Sequence, residues 1–202
     1  MDVSVFPIGP LASNMYILDT GSNIIIIDPS VSPEKLGHSR LPAKVSHILI
    51  THGHFDHMNA VDEWKGSFPG SKVYISPEDL PAMKDPVVNG SRIFLDPLVY
   101  DCEPEDIFKT DIPNLTVIRT PGHTAGGVCL LFEEGGQKIV FTGDTLFAGS
   151  CGRTDLYGGD ESLMLSSLST LKELDPDTVV YPGHGPSTTI AEELISNPFF
   201  NL

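Results

Sequence analysis

The sequence predicts an α/β fold in which short buried strands alternate with helices and end in loops that carry polar side chains. Ile24–Ile27 and His47–Ile50 are short runs rich in β-branched residues, a composition typical of buried strands. Ser32–Leu41, with proline at a favoured first helical position, is predicted to be a short helix. Asp160 precedes leucines at near-helical spacing and predicts a capped helix. We expect the 202 residues to form one domain, 1–202.

The other elements follow in order along the chain. The predicted strands are Val3–Pro7, Asn14–Leu18, Lys72–Ile75, Leu115–Thr120, Val128–Phe132, Lys138–Thr142 and Thr178–Tyr181. Helices are predicted over Met58–Trp64, after a cap at Ser76, and over Ile190–Ser196. The proline-rich segment 81–113 follows no regular pattern, and we expect it to cover the substrate.

The composition indicates an ordinary globular protein with an acidic surface. Hydrophobic residues make up 40% of the chain and charged residues 19%, and the formal net charge is −15. Such a charge disfavours binding to nucleic acid or to anionic membranes. The chain has no apolar run long enough to span a bilayer, and its N-terminus lacks the basic and apolar segments of a signal peptide. We therefore expect a cytoplasmic protein that binds neither nucleic acid nor membrane.

The three cysteines, Cys102, Cys129 and Cys151, show neither a paired framework nor a Cys-x-x-Cys spacing. Cys129 lies in an apolar run and is expected in the core. Cys151 lies in a glycine-rich loop without a neighbouring histidine, so a nucleophilic role and an unreactive thiol both remain open.

The strongest chemical signal is the segment 51–57, Thr-His-Gly-His-Phe-Asp-His. It follows a predicted buried strand, so its histidines lie on a loop held by the core. Three desolvated imidazoles and a carboxylate need partners, and a divalent metal satisfies most of them at once. His52, His54 and Asp56 occupy alternate positions, which lie on one side of an extended loop, and His57 points elsewhere. This arrangement indicates two metal ions rather than one. Asp28, at the end of the preceding strand, either supports this loop or only closes a turn.

Three more predicted strands end in a potential metal ligand. His123 and His184 each follow Pro-Gly at a strand end, and Asp144 follows glycine in the same way. Because the ends of several strands can meet at one edge of a sheet, we expect these side chains to build one site. The predicted ligands are five histidines and two aspartates: His52, His54, Asp56, His57, His123, Asp144 and His184.

The expected division of these ligands gives two ions. It places His52, His54 and His123 on one ion and Asp56, His57 and His184 on the other, with Asp144 bridging. The ions are expected to be zinc, with iron and manganese as alternatives. Two ions roughly 3.5–4 Å apart can share a hydroxide that attacks an electrophilic carbon. Asp56 and Asp144 are the predicted catalytic residues.

The motif His52-Gly-His54-Phe-Asp56-His57, followed by the three later ligands in order, resembles the metallo-β-lactamase superfamily over nearly the whole chain. The resemblance implies a four-layer αββα sandwich, with two mixed β-sheets flanked by helices and a binuclear site at one edge. The bridging Asp144 differs from true β-lactamases, which lack an aspartate there. His54 differs from flavodiiron proteins, which carry glutamate at this position.

The run 142–156 and the segment after the last histidine are similar to the short bacterial glyoxalase II-like hydrolases. Those enzymes hydrolyse thioesters of the hydroxyacylglutathione type, so the resemblance implies a small-molecule thioester substrate. A thiol of pKa about 8.5 leaves as thiolate without a strong general acid. Arg153 and Tyr157 are expected to bind a substrate carboxylate. The alternative for Arg153 is an internal salt bridge with Asp155 or Asp160.

Two other functions remain open. The Cys151–Asp155 segment is shared with persulfide dioxygenases, which resemble this protein in fold but use one iron held by two histidines and an aspartate. The corresponding residues here are His52, His123 and Asp144. The other alternative is a non-catalytic module that binds metal on the same scaffold.

Overall fold

The computed structural model describes residues 1–37, 41–94 and 96–201, and it consists of two compact units, Met1–Thr110 and Asp111–Leu202. Each unit contains one mixed β-sheet with helices. A single domain over 1–202 stays a prediction.

The first unit is built on a six-stranded sheet whose strands are ordered as in the sequence. They are β1 (Asp2–Phe6), β2 (Met15–Asp19), β3 (Ile24–Ile27), β4 (His47–Leu49), β5 (Lys72–Ile75) and β6 (Glu105–Asp106). β1, β2 and β3 form an antiparallel meander, and β3 to β6 are parallel. Tight turns suffice for antiparallel neighbours, whereas parallel neighbours require longer crossovers.

The parallel strands of this sheet are buried on both faces, which explains why they read as continuous apolar runs. Ile26, Ile48 and Leu49 have no exposed surface. Trp64 is also fully buried, and its Nε1 donates a hydrogen bond of 2.7 Å to the Val31 carbonyl oxygen. This core holds the end of β4, from which the histidine segment leaves.

The helices of the first unit are α1 (Pro33–Leu36), α2 (Phe55–Met58), α3 (Val61–Ser67) and α4 (Ser91–Phe94). The predicted helix Ser32–Leu41 is shorter than expected because Gly37 adopts a positive φ of 76° and ends α1. The remainder of that prediction includes residues 38–40, which lie outside the described residues.

Two further helix predictions in this unit need correction. The helix predicted over Met58–Trp64 is interrupted, because Ala60 has φ −116° and ψ 22° and separates α2 from α3. The chain also becomes helical earlier than expected, inside the histidine segment. The helix predicted after Ser76 is wrong: turn residues lead there into a short 3-10 helix, Leu80–Met83. Proline near its start limits backbone hydrogen bonding in this short element.

The second unit is built on a five-stranded sheet and a separate hairpin. Its strands are β7 (Leu115–Arg119), β8 (Val128–Glu134), β9 (Gln137–Gly143), β10 (Leu146–Phe147), β11 (Ser150–Cys151), β12 (Val179–Pro182) and β13 (Thr188–Thr189). The sheet order is β13-β12-β9-β8-β7, and β10 pairs with β11. β7 and β9 are both antiparallel to β8, and β12 is parallel to β9. Therefore β7, β9 and β12 end at the same edge.

The helices of the second unit are α5 (Glu161–Leu171) and α6 (Ile190–Ser196). Asp160 caps α5 as predicted and accepts a hydrogen bond of 2.9 Å from the Leu163 backbone N–H. Leu163 itself is exposed, so the predicted leucine stripe is partly wrong, and Met164 occupies the buried face instead. In the described part of the chain, no helix combines the length and the apolar character needed to cross a membrane.

Candidate metal centre

The histidine segment follows β4 in the first unit, and its polar side chains are buried. Thr51, His52, His54, Asp56 and His57 are each at most 6% exposed. The His52 ring centroid lies 5.0 Å from that of His54 and 4.2 Å from that of His57. Desolvating three imidazoles beside a carboxylate is costly unless hydrogen bonds or a metal compensate. The segment is therefore a buried set of donors suited to a cation.

Asp28 supports this segment from the end of β3. Its Oδ2 lies 2.9 Å from His57 Nδ1 and accepts a 2.7 Å hydrogen bond from Thr51 Oγ1. Its Oδ1 accepts a 2.8 Å bond from the Thr51 backbone N–H. With Nδ1 facing this carboxylate, the His57 ring presents Nε2, which lies 3.5 Å from Asp56 Oδ2. A carboxylate on the remote ring nitrogen is the usual way to orient a metal-ligating histidine.

Ligand atoms of Asp28, His52 and His57 also lie within 4.8 Å of one another. Asp28 is buried, and it adopts the left-handed conformation with φ 50°. Such a φ is uncommon outside glycine, although Asp and Asn tolerate it. Asp28 was expected either to support the histidine segment or only to close a turn, and its contacts with Thr51 and His57 show that it supports the segment.

Asp79 also holds this loop, and the sequence analysis missed it. Its buried Oδ2 accepts a 2.8 Å hydrogen bond from the Gly53 backbone N–H. A Cβ at Gly53 would lie 2.6 Å from the Ala82 Cβ, so the loop requires glycine here. The only sequence signal for Asp79 was its position shortly after β5, the parallel neighbour of β4.

In the second unit, the three predicted ligands follow β7, β9 and β12 at their common edge. Asp144 Oδ2 lies 3.4 Å from His123 Nε2 and 3.5 Å from His184 Nε2. His123 is buried, whereas the His184 side chain is 28% exposed. The Asp144 carboxylate oxygen therefore lies close to the imidazole nitrogens of both histidines, as expected for the ligand predicted to be shared by two metal ions.

The backbone after β11 positions two of these ligands. The Arg153 carbonyl oxygen accepts a 2.7 Å hydrogen bond from His123 Nδ1, which leaves Nε2 facing Asp144. A Cβ at Gly152 would overlap the Asp144 carbonyl oxygen and lie 3.3 Å from His123 Nδ1. Only glycine fits this close approach.

The hairpin that leads into this backbone is held by α6. The Glu193 carboxylate is buried and accepts hydrogen bonds of 2.8 Å from the Gly149 N–H and 2.7 Å from Thr188 Oγ1. Asn197 Nδ2 donates to the Ser150 carbonyl oxygen at 3.0 Å and to Glu193 at 2.7 Å. Neither residue was predicted to have a structural role, although Asn197 lies in the closing segment that carries the resemblance to the glyoxalase II-like hydrolases.

The side chain of Arg153 forms a bidentate ion pair with Asp155. The Nε–Oδ1 distance is 2.6 Å and the Nη2–Oδ2 distance is 2.8 Å. Hydrogen bonding from Arg153 lowers the pKa of Asp155 to about 2, so the pair is ionised at neutral pH. Tyr157 is exposed. A substrate-binding role for Arg153 and Tyr157 stays a prediction.

The cysteine thiols are poorly suited to nucleophilic catalysis. Burial raises the pKa of Cys151, and it raises the pKa of Cys102 and of Cys129 to about 12. The thiolate is the reactive form of cysteine, so all three are weak nucleophiles at neutral pH. Cys129 is fully buried, as predicted.

The chemistry of these residues fits divalent metal ions. Imidazole nitrogen and carboxylate oxygen suit zinc, and they also suit iron and manganese. The remote nitrogens of His57 and His123 are each occupied by an oxygen, so both rings present Nε2 for ligation. The histidine and aspartate cluster therefore binds divalent metal, whose identity these residue types leave open.

Comparison with known proteins identifies a family and a relative that is named as a hydrolase. Residues 8–184 match the profile of the metallo-beta-lactamase superfamily. Hydroxyacylglutathione hydrolase GloC of Haemophilus influenzae is 33% identical over 100% of this chain and 99% of its own length. A Mycobacterium leprae protein with 38% identity, over 98% of both chains, is uncharacterized.

Two solved structures resemble this chain over at least 97% of its length. The B3 metallo-beta-lactamase BLEG-1 superposes with a TM-score of 0.88 at 33% identity and covers 100% of both chains. TTHA1623, in a di-iron-bound form, has a TM-score of 0.86 at 36% identity and covers 97% of this chain and 99% of its own. The predicted fold class, with two mixed sheets and flanking helices, is confirmed.

Proposed function

Because this chain belongs to the metallo-β-lactamase superfamily and is a metal-dependent hydrolase, we propose that it cleaves a thioester at a binuclear metal site. The substrate is a hydroxyacylglutathione or a related acyl-thiol. The observation that carries this proposal is the full-length similarity to GloC, which is named a hydroxyacylglutathione hydrolase. The seven predicted ligands are all present in the same chain.

In this proposal, each ligand keeps its predicted place. His52, His54 and His123 would hold one ion, Asp56, His57 and His184 would hold the other, and Asp144 would be shared by both. When bound, the two ions supply a hydroxide at neutral pH and polarise the substrate carbonyl.

Asp28 and the Arg153 carbonyl oxygen act through the ligands. Each one bonds the remote nitrogen of a histidine, His57 or His123, and so fixes which nitrogen faces the metal. Asp79 and Glu193 hold the loops that carry or adjoin the ligands. The donors are therefore oriented before the substrate arrives, and less free energy is spent on ordering them.

The leaving group explains why a thioester suits these residues. A thiol of pKa about 8.5 departs as thiolate, so the site does not need to protonate it. An amide leaving group would require a proton donor in the transition state.

β-Lactam hydrolysis is the second candidate, because BLEG-1 is named a B3 metallo-beta-lactamase and matches this chain over its full length. Asp144 at the bridging position had argued against a β-lactamase. We favour the thioester because the sequence run 142–156 and the similarity to GloC both support it.

The first experiment is elemental analysis of protein purified anaerobically without chelator, followed by assays on thioesters, a chromogenic β-lactam and a persulfide. Two ions per chain and thioester turnover are expected. One iron per chain with oxygen consumption on the persulfide would replace the hydrolase by the dioxygenase alternative. Two ions with β-lactam turnover alone would establish the second candidate, and metal binding without turnover would leave only a binding module.

A further inference from the structure

The described residues of the segment 80–99, which are 80–94 and 96–99, expose several large apolar side chains. They are Leu80, Val87, Ile93, Phe94 and Val99. Single apolar residues are common on protein surfaces, whereas a contiguous exposed apolar patch marks a binding surface. Ile93 is 67% exposed, which means that most of its side chain contributes nothing to the core.

This segment packs directly against the histidine loop. The Phe55 N–H donates a 3.0 Å hydrogen bond to the Asn89 carbonyl oxygen. A Cβ at Gly90 would lie 3.8 Å from His54 Cδ2. The Phe94 ring stacks on Phe55, with the ring centroids 5.9 Å apart. Gly90, which lies next to His54, directly precedes α4. The exposed side chains of α4 are therefore carried by a segment that contacts a predicted metal ligand.

Buried polar groups hold the segment in place. Asn89 has no exposed surface, and its Nδ2 donates to the carbonyl oxygens of Ala82 at 2.9 Å and Leu98 at 3.0 Å. Asn89 Oδ1 accepts a 2.9 Å hydrogen bond from the Ser91 N–H, and Ser91 Oγ accepts one of 2.9 Å from the Leu98 N–H. A buried hydrogen-bond network of this kind rigidifies the backbone of the segment that carries the exposed side chains.

Arg92 is one of the three exposed residues of α4, together with Ile93 and Phe94. The chain has 27 acidic and 12 basic residues, so carboxylates outnumber cations. Lys109, Lys138 and Arg153 each pair with a nearby aspartate. Among the residues that the structure describes, no carboxylate lies within ion-pair distance of the exposed Arg92 guanidinium, which is left to bind an external anion.

We propose that Arg92, together with Ile93 and Phe94, forms a subsite that binds the carboxylate-bearing portion of the thioester substrate. The guanidinium group binds a carboxylate through two parallel hydrogen bonds, and the two apolar side chains contact the hydrocarbon part of the same molecule. This inference rests on the proposed thioesterase function and names its substrate class, an amphiphilic organic anion. The Arg153 guanidinium is engaged by Asp155, whereas the proposal uses the guanidinium of Arg92 to bind the substrate carboxylate.

The test compares two thioesters with the same acyl group, S-lactoylglutathione, which carries carboxylates, and S-lactoyl-N-acetylcysteamine, which is neutral. Arg92→Ala is expected to lower kcat/KM for the anionic substrate about tenfold, mainly through KM, because a charged hydrogen bond is lost. Activity on the neutral substrate is expected to stay within about twofold. Lys35→Ala, which removes another exposed cation from the same unit, is the matched control and is expected to change neither substrate.

Calorimetric binding of the non-hydrolysable thioether S-hexylglutathione separates this inference from the proposed function. Weaker binding to Arg92→Ala than to Lys35→Ala supports the subsite, and Ile93→Ser is expected to weaken binding of the hexyl compound more than that of S-methylglutathione. An unchanged preference for the anionic thioester in Arg92→Ala would overturn the subsite and leave the thioesterase standing. If the wild type hydrolyses neither thioester, the proposed function fails, and equal thioether binding by the two alanine variants then overturns the subsite as well.

Discussion

Asp28 Oδ2 lies 2.9 Å from His57 Nδ1, and both side chains are almost completely buried. The two residues are 29 positions apart in the sequence. The contact joins the end of β3 to the histidine segment after β4, two neighbouring parallel strands. The Asp28 carboxylate thus orients the His57 ring through Nδ1, the nitrogen that is not predicted to bind the metal.

Asp28→Asn is expected to lower metal affinity about 10–100-fold, the usual effect of losing such a partner. Asparagine also tolerates a positive φ, so the backbone conformation of this residue is kept. Affinity is measured by competition with a chromogenic chelator. Thr51→Ser retains the hydroxyl that donates to Asp28 and is the control. Wild-type affinity in Asp28→Asn would show that His57 is oriented without this carboxylate.

Asp56→Ala and His184→Ala are each expected to reduce bound metal to about one ion per chain and to nearly abolish turnover. The reason is that both are predicted to hold the same ion, and a binuclear reaction needs the second. Metal content by elemental analysis and a thioester assay check the two effects. His47→Ala removes a histidine that stacks on Tyr74 and is not a predicted ligand, so it should keep both ions. Two ions retained in either ligand variant would contradict the assignment.

Gly152→Ala is expected to weaken metal binding at least about tenfold and to destabilise the fold by roughly 1–3 kcal/mol, the usual cost of overpacking. The added Cβ would meet the Asp144 carbonyl oxygen and lie 3.3 Å from His123 Nδ1. Urea unfolding and chelator competition measure the two effects. Gly70→Ala is the control, because, its chain neighbours aside, no heavy atom of the described residues lies within 4 Å of the added Cβ. Normal metal binding in Gly152→Ala would mean that Asp144 and His123 can shift without loss of function.

Arg153→Ala is expected to raise KM for a carboxylate-bearing thioester more than it lowers kcat. Metal content should not change, because His123 contacts the backbone oxygen of Arg153 and not its guanidinium. Asp155→Asn frees the guanidinium from its ion pair and is the matched variant, expected to keep or lower KM. An unchanged KM in Arg153→Ala would assign the side chain to the ion pair with Asp155 alone.

The sequence by itself determined the longer strands and placed the predicted ligands at the ends of several of them. The two-residue strands β6, β10, β11 and β13 were not predicted. Short β-branched runs predicted β3, β4, β5 and β7 to within about two residues at each end. Glycine beside a polar residue marked the ends of β7, β9 and β12, and the sheet brings these three ends to one edge. Both signals are local, since they depend on backbone preferences and on burial within a few residues.

Only the tertiary structure decided which groups hold the predicted ligands and which carboxylate pairs with Arg153. Asp79 meets Gly53 across 26 positions and Glu193 meets Gly149 across 44, and nothing in the composition of either segment indicated its partner. The pairing of Arg153 with Asp155 was one of two that the sequence allowed. Such contacts arise when strands and helices distant in sequence pack together, because buried polar groups must then find partners wherever the fold brings them.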